Sequence, residues 1–179
     1  MYSDHRLDRA IKLAHQAHDG QVDKAGLAYI QHPLRVMHQM KTIEAKIIAI
    51  LHDTLEDTWV THQHLKALGL GIKHIDALNA LTKLAYENRF DVLKRTLLNP
   101  LACEVKLADV YDNMNLARLT HINQNDIQRY QQYRQIYLVL QQACEFYQRS
   151  HIKQHINIAI KPKQKRLIAL AVKLYNIML

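Results

Sequence analysis

Four glycines and three prolines are the only strong chain-breakers in a sequence of 179 residues. Strands need frequent turn punctuation and helices do not, so this scarcity restricts the chain to helices joined by short connections. Apolar residues make up 49% of the chain and charged residues 22%, enough for a buried core and too apolar for a disordered polymer. One domain covering residues 1–179 is expected at this length. No apolar run reaches the ~18–20 residues that cross a bilayer. No charged-then-apolar leader opens the chain, so a cytoplasmic protein is expected rather than a secreted or membrane-spanning one. Cys103 and Cys144 have neither metal nor redox spacing and fit reduced thiols.

Hydrophobic periodicity places the helices. Ser3 or Asp4 caps a first helix with the stripe Leu7, Ala10, Ile11 and Ala14, which Gly20 stops. Residues 19–31 read as a loop hinged at Gly20 and Gly26, and His32-Pro33 opens the next helix with proline in its first position. Thr42 caps a helix over 43–56, and Thr61 caps a short one ended by Gly69-Leu70-Gly71. Helical patterns follow over 72–83, 89–98 and 101–119, and residues 123–126 offer caps for a long helix through Phe146. Residues 150–161 read as a connector, with Ile156, Ile158 and Ile160 alternating as in a short strand, and 163–178 as a closing basic amphipathic helix. The expected architecture is an all-α bundle.

Charge is concentrated at one end. Residues 121–179 carry nine Lys or Arg against Asp126 and Glu145, while the rest of the chain is nearly balanced within an overall +8. A basic terminal third suits an anionic ligand or nucleic acid, or is simply a solvated helix face.

Chemistry concentrates in Leu51-His52-Asp53-Thr54-Leu55-Glu56-Asp57-Thr58, where a histidine and three carboxylates fall in an otherwise apolar stretch. On a helix His52 and Glu56 are i,i+4 neighbours, as are Asp53 and Asp57. Like charges so crowded repel unless something positive sits among them; a divalent cation is the simplest solution, and an exposed acidic helix end is the plain alternative. His32 stands at a helix start, and Asp109 lies in Val105-Lys106-Leu107-Ala108-Asp109-Val110, where burying a carboxylate demands a partner or a metal. Two imidazoles and two carboxylates from three helices suit Mn²⁺, Fe²⁺ or Zn²⁺. Taken singly, His32 could instead cap its helix, and Asp109 could pair with Lys106 or Arg118.

The pattern His32…His52-Asp53…Asp109 is similar to the metal signature of the HD superfamily of phosphohydrolases. The stretches Ala17-His18-Asp19-Gly20-Gln21, Tyr29-Ile30-Gln31-His32-Pro33, Leu81-Thr82-Lys83 and Lys106-Leu107-Ala108-Asp109 resemble its alarmone-hydrolase branch, over roughly residues 5–140. That branch contains the hydrolase domains of Rel and SpoT enzymes and the small stand-alone hydrolases, of which the latter is the nearer likeness. The resemblance implies an HD-type helical bundle in which His32, His52, Asp53 and Asp109 hold one Mn²⁺. Glu56 and Asp57 match the pair that orients or deprotonates water, and the residues alone leave open which of them takes the proton. Asn113, Arg129, Tyr133 and Lys24 match positions that hold the nucleotide. The reaction so implied removes the 3′-pyrophosphate of guanosine 3′,5′-bis(diphosphate)-type nucleotides, giving GDP or GTP. The expected partner is a small nucleotide rather than a membrane or nucleic acid, with a homo-oligomer left open.

The chain departs from the family at the nucleotide end. Its loop reads Asp23-Lys24-Ala25-Gly26 where a basic pair and serine are usual, Ala28 replaces proline, and Val110, Asp112 and Leu116 replace arginine, histidine and threonine. Replacing Asp23 by Arg is expected to improve use of a guanosine substrate if this loop reads the base. Two other readings remain: an HD hydrolase for a different nucleotide, such as an adenosine alarmone, and a non-catalytic nucleic-acid-binding module built on the basic C-terminal helix.

Overall fold

The computed structural model describes residues 4–154. Ser3, the alternating isoleucines and the basic helix over 163–178 lie outside the described residues, as does most of the 150–161 connector. The described elements are helices α1 (His5–Ala17), α2 (Gln31–His38), α3 (Ile43–Leu51), α4 (Thr54–Asp57), α5 (His62–Ala67), α6 (Ile72–Leu81), α7 (Arg89–Leu97), α8 (Pro100–Asn113) and α9 (Gln124–Gln154), with a 3₁₀ turn at Leu116–Arg118. Among the described residues there is no strand, only one isolated bridge between Val22 and Ala28. The all-α expectation holds.

Side-chain caps set most helix starts. Asp4 accepts from the Arg6 N–H at 2.9 Å, Thr42 from Ala45, and Asn99 from Leu101 and Ala102, with Pro100 in the first position of α8. Asn123 and Asp126 bond reciprocally through side chain and backbone at the start of α9. Pro33 sits in the third position of α2 rather than the first, which is equally tolerated because first-turn N–H groups have no helical acceptor.

Three sequence expectations are corrected. The helix over 43–56 is interrupted at His52 and Asp53, because the His52 imidazole and Thr54 hydroxyl occupy the carbonyls of Ala49 and Leu51 at 2.8 and 2.7 Å. The helix over 101–119 ends at Asn113, and a 3₁₀ turn replaces its last part. The final described helix continues past Phe146 to Gln154, through residues read as the start of a connector.

Helices α3 and α8 are the axes of the bundle. α3 buries Ala45 and every residue from Ile47 to Leu51 against α1, α2, α6 and α8. α8 is apolar on two faces: Ala102, Val105 and Ala108 join the core around α3, whereas Cys103 and Val110 join Leu93, Leu97, Ile136 and Leu140 from α7 and α9. Cys103 and Cys144 are free thiols, buried with their sulfurs 3.6 Å apart. Because α8 is wrapped on both sides, a polar residue on it must be compensated internally. No described helix is long and apolar enough to cross a membrane.

Candidate metal centre

The first turn of α2, the end of α3 and the middle of α8 meet at one point. His32 is the second residue of α2, His52 caps α3, and Asp109 lies inside α8; all three side chains are buried. One ligand atom from each lies within 4.8 Å of the others. His32 Nε2 is 3.1 Å from Asp109 Oδ1 and 3.8 Å from Asp53 Oδ2. His52 Nε2 is 3.1 Å from Asp53 Oδ2 and 3.7 Å from Asp109 Oδ1.

The far side of each imidazole is occupied. His52 Nδ1 donates to the Ala49 carbonyl, which can only accept, so the neutral ring carries its lone pair on Nε2. That Nε2 is buried and has no hydrogen-bond partner of acceptable geometry. His32 Nδ1 contacts Asp112 Oδ2 at 2.7 Å. Both carboxylates are anchored as well. Asp53 Oδ2 accepts from the Tyr29 hydroxyl at 2.5 Å, Asp109 Oδ1 accepts from Asn113 at 2.6 Å, and Asp109 Oδ2 pairs with Lys106 at 2.8 Å.

Charges here compensate one another. Burial disfavours charge on His52, yet Asp53 and Asp109 push its pKa up to about 10. His32 is raised as well, Asp109 and Asp112 outweighing its burial. Burial opposes ionisation of Asp109, but Lys106 and the two histidines hold it well below the usual carboxylate range. Two imidazole nitrogens and two anchored carboxylates around an unpartnered buried nitrogen fit a divalent cation, which would replace the imidazole protons as counter-charge.

Two cavities open from this centre. One of about 380 Å³ is bordered by Asp53, Glu56, Asp57, Lys83, Arg89 and Asp109. The other, of about 300 Å³, is bordered by Asp23, Lys24, Arg118 and Arg129. Tyr29, His32, Asn113 and Tyr133 border both. All four residues matched to nucleotide contacts therefore face this space, but two are already engaged. Lys24 pairs with Asp126 at 2.6 Å, and Asn113 spends its amide on Asp109. Glu56 Oε2 accepts from the Lys83 backbone N–H at 2.8 Å, while burial, then Asp53 and Glu56, raise the pKa of Asp57.

Tyr29, Arg35 and Asp112 join the site with no role expected of them from the sequence, in which Lys106 and Arg118 stand only as alternative partners of Asp109. Lys106 does pair with Asp109, alongside the histidines, while Arg118 binds Asp23 at 3.2 Å and lies 3.7 Å from Asp112. The signal that singled out Asp109 also applied to Asp112: a carboxylate in a mostly apolar helix needs a built partner.

The fold is shared with a known structure. A chain described as a metazoan ortholog of SpoT that hydrolyses ppGpp superposes with a TM-score of 0.64 and 19% identity, covering 83% of this chain and 98% of that one. The two share a fold. Among curated proteins, the chain is 33% identical over 119 residues to the guanosine-3′,5′-bis(diphosphate) 3′-pyrophosphohydrolase of Aquifex aeolicus, covering 60% of this chain and 17% of that protein. It is 34% identical over 90 residues to the bifunctional (p)ppGpp synthase/hydrolase SpoT of Escherichia coli, covering 47% of this chain and 13% of that protein. The Spiroplasma citri protein named for the same pyrophosphohydrolase is 34% identical over 123 residues, which is 60% of this chain and 16% of the relative. The chain thus spans less than a fifth of these relatives. No protein-family model matches it.

Proposed function

We propose that this chain is a metal-dependent phosphohydrolase that removes the 3′-pyrophosphate of guanosine 3′,5′-bis(diphosphate)-type nucleotides, releasing GDP or GTP in the cytoplasm. The observation that carries this reading is the convergence of two imidazole Nε2 atoms and two anchored carboxylates at the mouth of two joined cavities. His32, His52, Asp53 and Asp109 would hold the ion, for which Mn²⁺ suits the mixed nitrogen and oxygen donors. When bound, such a cation polarises a phosphoryl oxygen and acidifies water toward a pKa of about 7.

The chain's own groups supply the rest. Glu56 and Asp57 border the same cavity as Asp53 and Asp109, where either can orient the attacking water or accept its proton. The water oxygen bonds to the phosphorus attached at the 3′-oxygen, the bond from that phosphorus to the 3′-oxygen breaks, and the 3′-oxygen takes up a proton. Lys83 and Arg89 border this cavity and offer positive charge to the departing pyrophosphate. Arg129 and Tyr133, one helical turn apart on α9, border the other cavity with a guanidinium fork and an aromatic wall for the nucleoside or its 5′-phosphates.

The decisive experiment incubates purified protein with Mn²⁺ and a panel of 3′,5′-phosphorylated nucleotides and identifies the products by ion chromatography. Pyrophosphate and GDP from ppGpp are the expected result. Turnover of the other nucleotides alone would favour the second reading, a different base or phosphate pattern, which rests on Asp23 being committed to Arg118 at the cavity edge. No turnover of any member would overturn the hydrolase.

A further inference from the structure

The His32 imidazole is held between two carboxylates of α8 that lie one turn apart. Asp109 faces Nε2 at 3.1 Å and Asp112 faces Nδ1 at 2.7 Å. Asp112 is 7% exposed; its backbone carbonyl accepts from the N–H groups that close α8, while its carboxylate turns to α2. Burying a carboxylate there is unfavourable unless it is fully paired. Arg35 provides that pairing with a two-pronged contact, Nε at 2.8 Å to Oδ1 and Nη2 at 3.0 Å to Oδ2. Arg35 stands three residues after His32 on α2, as Asp112 stands three residues after Asp109 on α8. The two helices are therefore cross-linked by charge-assisted bonds from His32 and Arg35 that converge on Asp112.

We infer that Asp112 is a positioning residue for the metal centre: it fixes the His32 ring with its proton on Nδ1, presenting the Nε2 lone pair to the cation. The inference rests on the metal-hydrolase reading above. An ionised carboxylate only accepts hydrogen bonds, so its contact with Nδ1 requires the proton there, and a neutral ring then has its free electron pair on Nε2. His52 reaches the same state by a different route, through the Ala49 carbonyl. A carboxylate behind a ligating imidazole also raises its basicity, and loss of such a partner typically costs about 10–100-fold in metal affinity. In the resembling family this position commonly holds histidine, so the device belongs to this chain.

The test titrates metal-free protein with Mn²⁺ by calorimetry and reads the His32 tautomer of the metal-free protein, at alkaline pH where the ring is neutral, by long-range proton–nitrogen correlation spectroscopy. Asp112→Leu keeps the side-chain size nearly constant but removes both acceptor oxygens from Nδ1. It is expected to weaken Mn²⁺ binding about 10–100-fold and move the ring proton to Nε2. Asp112→Glu, which restores an acceptor, is expected to recover the Nδ1–H tautomer. Arg149→Ala, which removes an exposed charge paired with Glu145 on α9, is expected to leave both readouts unchanged. Wild-type Mn²⁺ affinity and tautomer in Asp112→Leu would overturn the inference, as would an Arg149→Ala variant that weakens binding equally. A wild-type protein that takes up no Mn²⁺ would overturn the hydrolase reading with it.

Discussion

Glu56 and Lys83, 27 residues apart in sequence, are joined by a hydrogen bond from the Lys83 backbone N–H to Glu56 Oε2 at 2.8 Å. One oxygen of the candidate water-orienting carboxylate is thereby fixed against the segment after α6, at the edge of the cavity that both residues border. Thr82 and Lys83 are held in turn, since Arg95 donates to the Thr82 carbonyl at 2.7 Å. The acidic residue is preorganised by backbone rather than by a neighbouring cation.

Glu56→Gln preserves an acceptor for Lys83 but removes the basic oxygen. Its kcat for pyrophosphate release is expected to fall by about 10²–10⁴, with Mn²⁺ content by elemental analysis unchanged. An undiminished kcat would remove Glu56 from the mechanism.

Titration of the centre should show in the chelated protein. The folded-state pKa of His52 is raised from 6.5 to about 10, Asp53 and Asp109 outweighing burial. A raised basic pKa gives stability that is fully present below about 6.5 and lost as pH climbs through about 10. Thermal unfolding with EDTA is thus expected to shift to lower temperature across that window. Asp109→Asn, which removes one of the charges that raise His52, should flatten the slope.

Metal uptake should be coupled to the same protons. Ligation requires neutral imidazoles, so Mn²⁺ binding near neutral pH is expected to release about one to two protons. Calorimetry in buffers of differing ionisation heat measures this directly, and a buffer-independent heat would contradict the assigned ligands.

Asp23 separates the sequence expectation from the structural one. Its Oδ1 accepts from the N–H groups of Ala25 and Leu27 at 2.9 and 3.0 Å, while Oδ2 meets Arg118. Asp23→Arg would break this turn and set two arginines together, so a higher KM for every nucleotide is expected rather than a gain for guanosine. Asp23→Asn should stay near wild type. Improved guanosine turnover in Asp23→Arg would restore the sequence-based view of the loop.

The core behind α3 sets the stability of the whole arrangement. Ile48 is fully buried, and Ile48→Ala is expected to cost about 2–5 kcal/mol in urea unfolding. A change of that size with the metal-centre distances kept would show that core and site are separable.

The helices and the charge cluster of residues 52–57 were legible in the sequence because they follow from local rules. The joining of His32 and Asp109 to that cluster is what the resemblance implies. Caps such as Asp4, Thr42 and Asn123, and apolar stripes at helical spacing, specify where helices run whatever surrounds them. Adjacent His52 and Asp53, with Glu56 and Asp57 in the following turn, announced a charge cluster without any knowledge of the fold. The break after Leu51 was not legible, since it depends on whether His52 and Thr54 turn back to the helix carbonyls or outward to solvent.

What the sequence by itself determined was an all-α chain with a local cluster of nitrogen and oxygen donors over residues 52–57, because periodicity and residue chemistry are local properties. Only the tertiary structure decided what those donors lean on: Asp112 behind His32, Lys106 beside Asp109, Tyr29 on Asp53, Lys83 against Glu56. Apart from the Lys106 pair, these partners lie between 24 and 80 residues apart in the chain. Asp109 and Asp112 meet theirs because α8 is packed on both faces, and a charge placed there must find its counter-charge within the protein instead of in water.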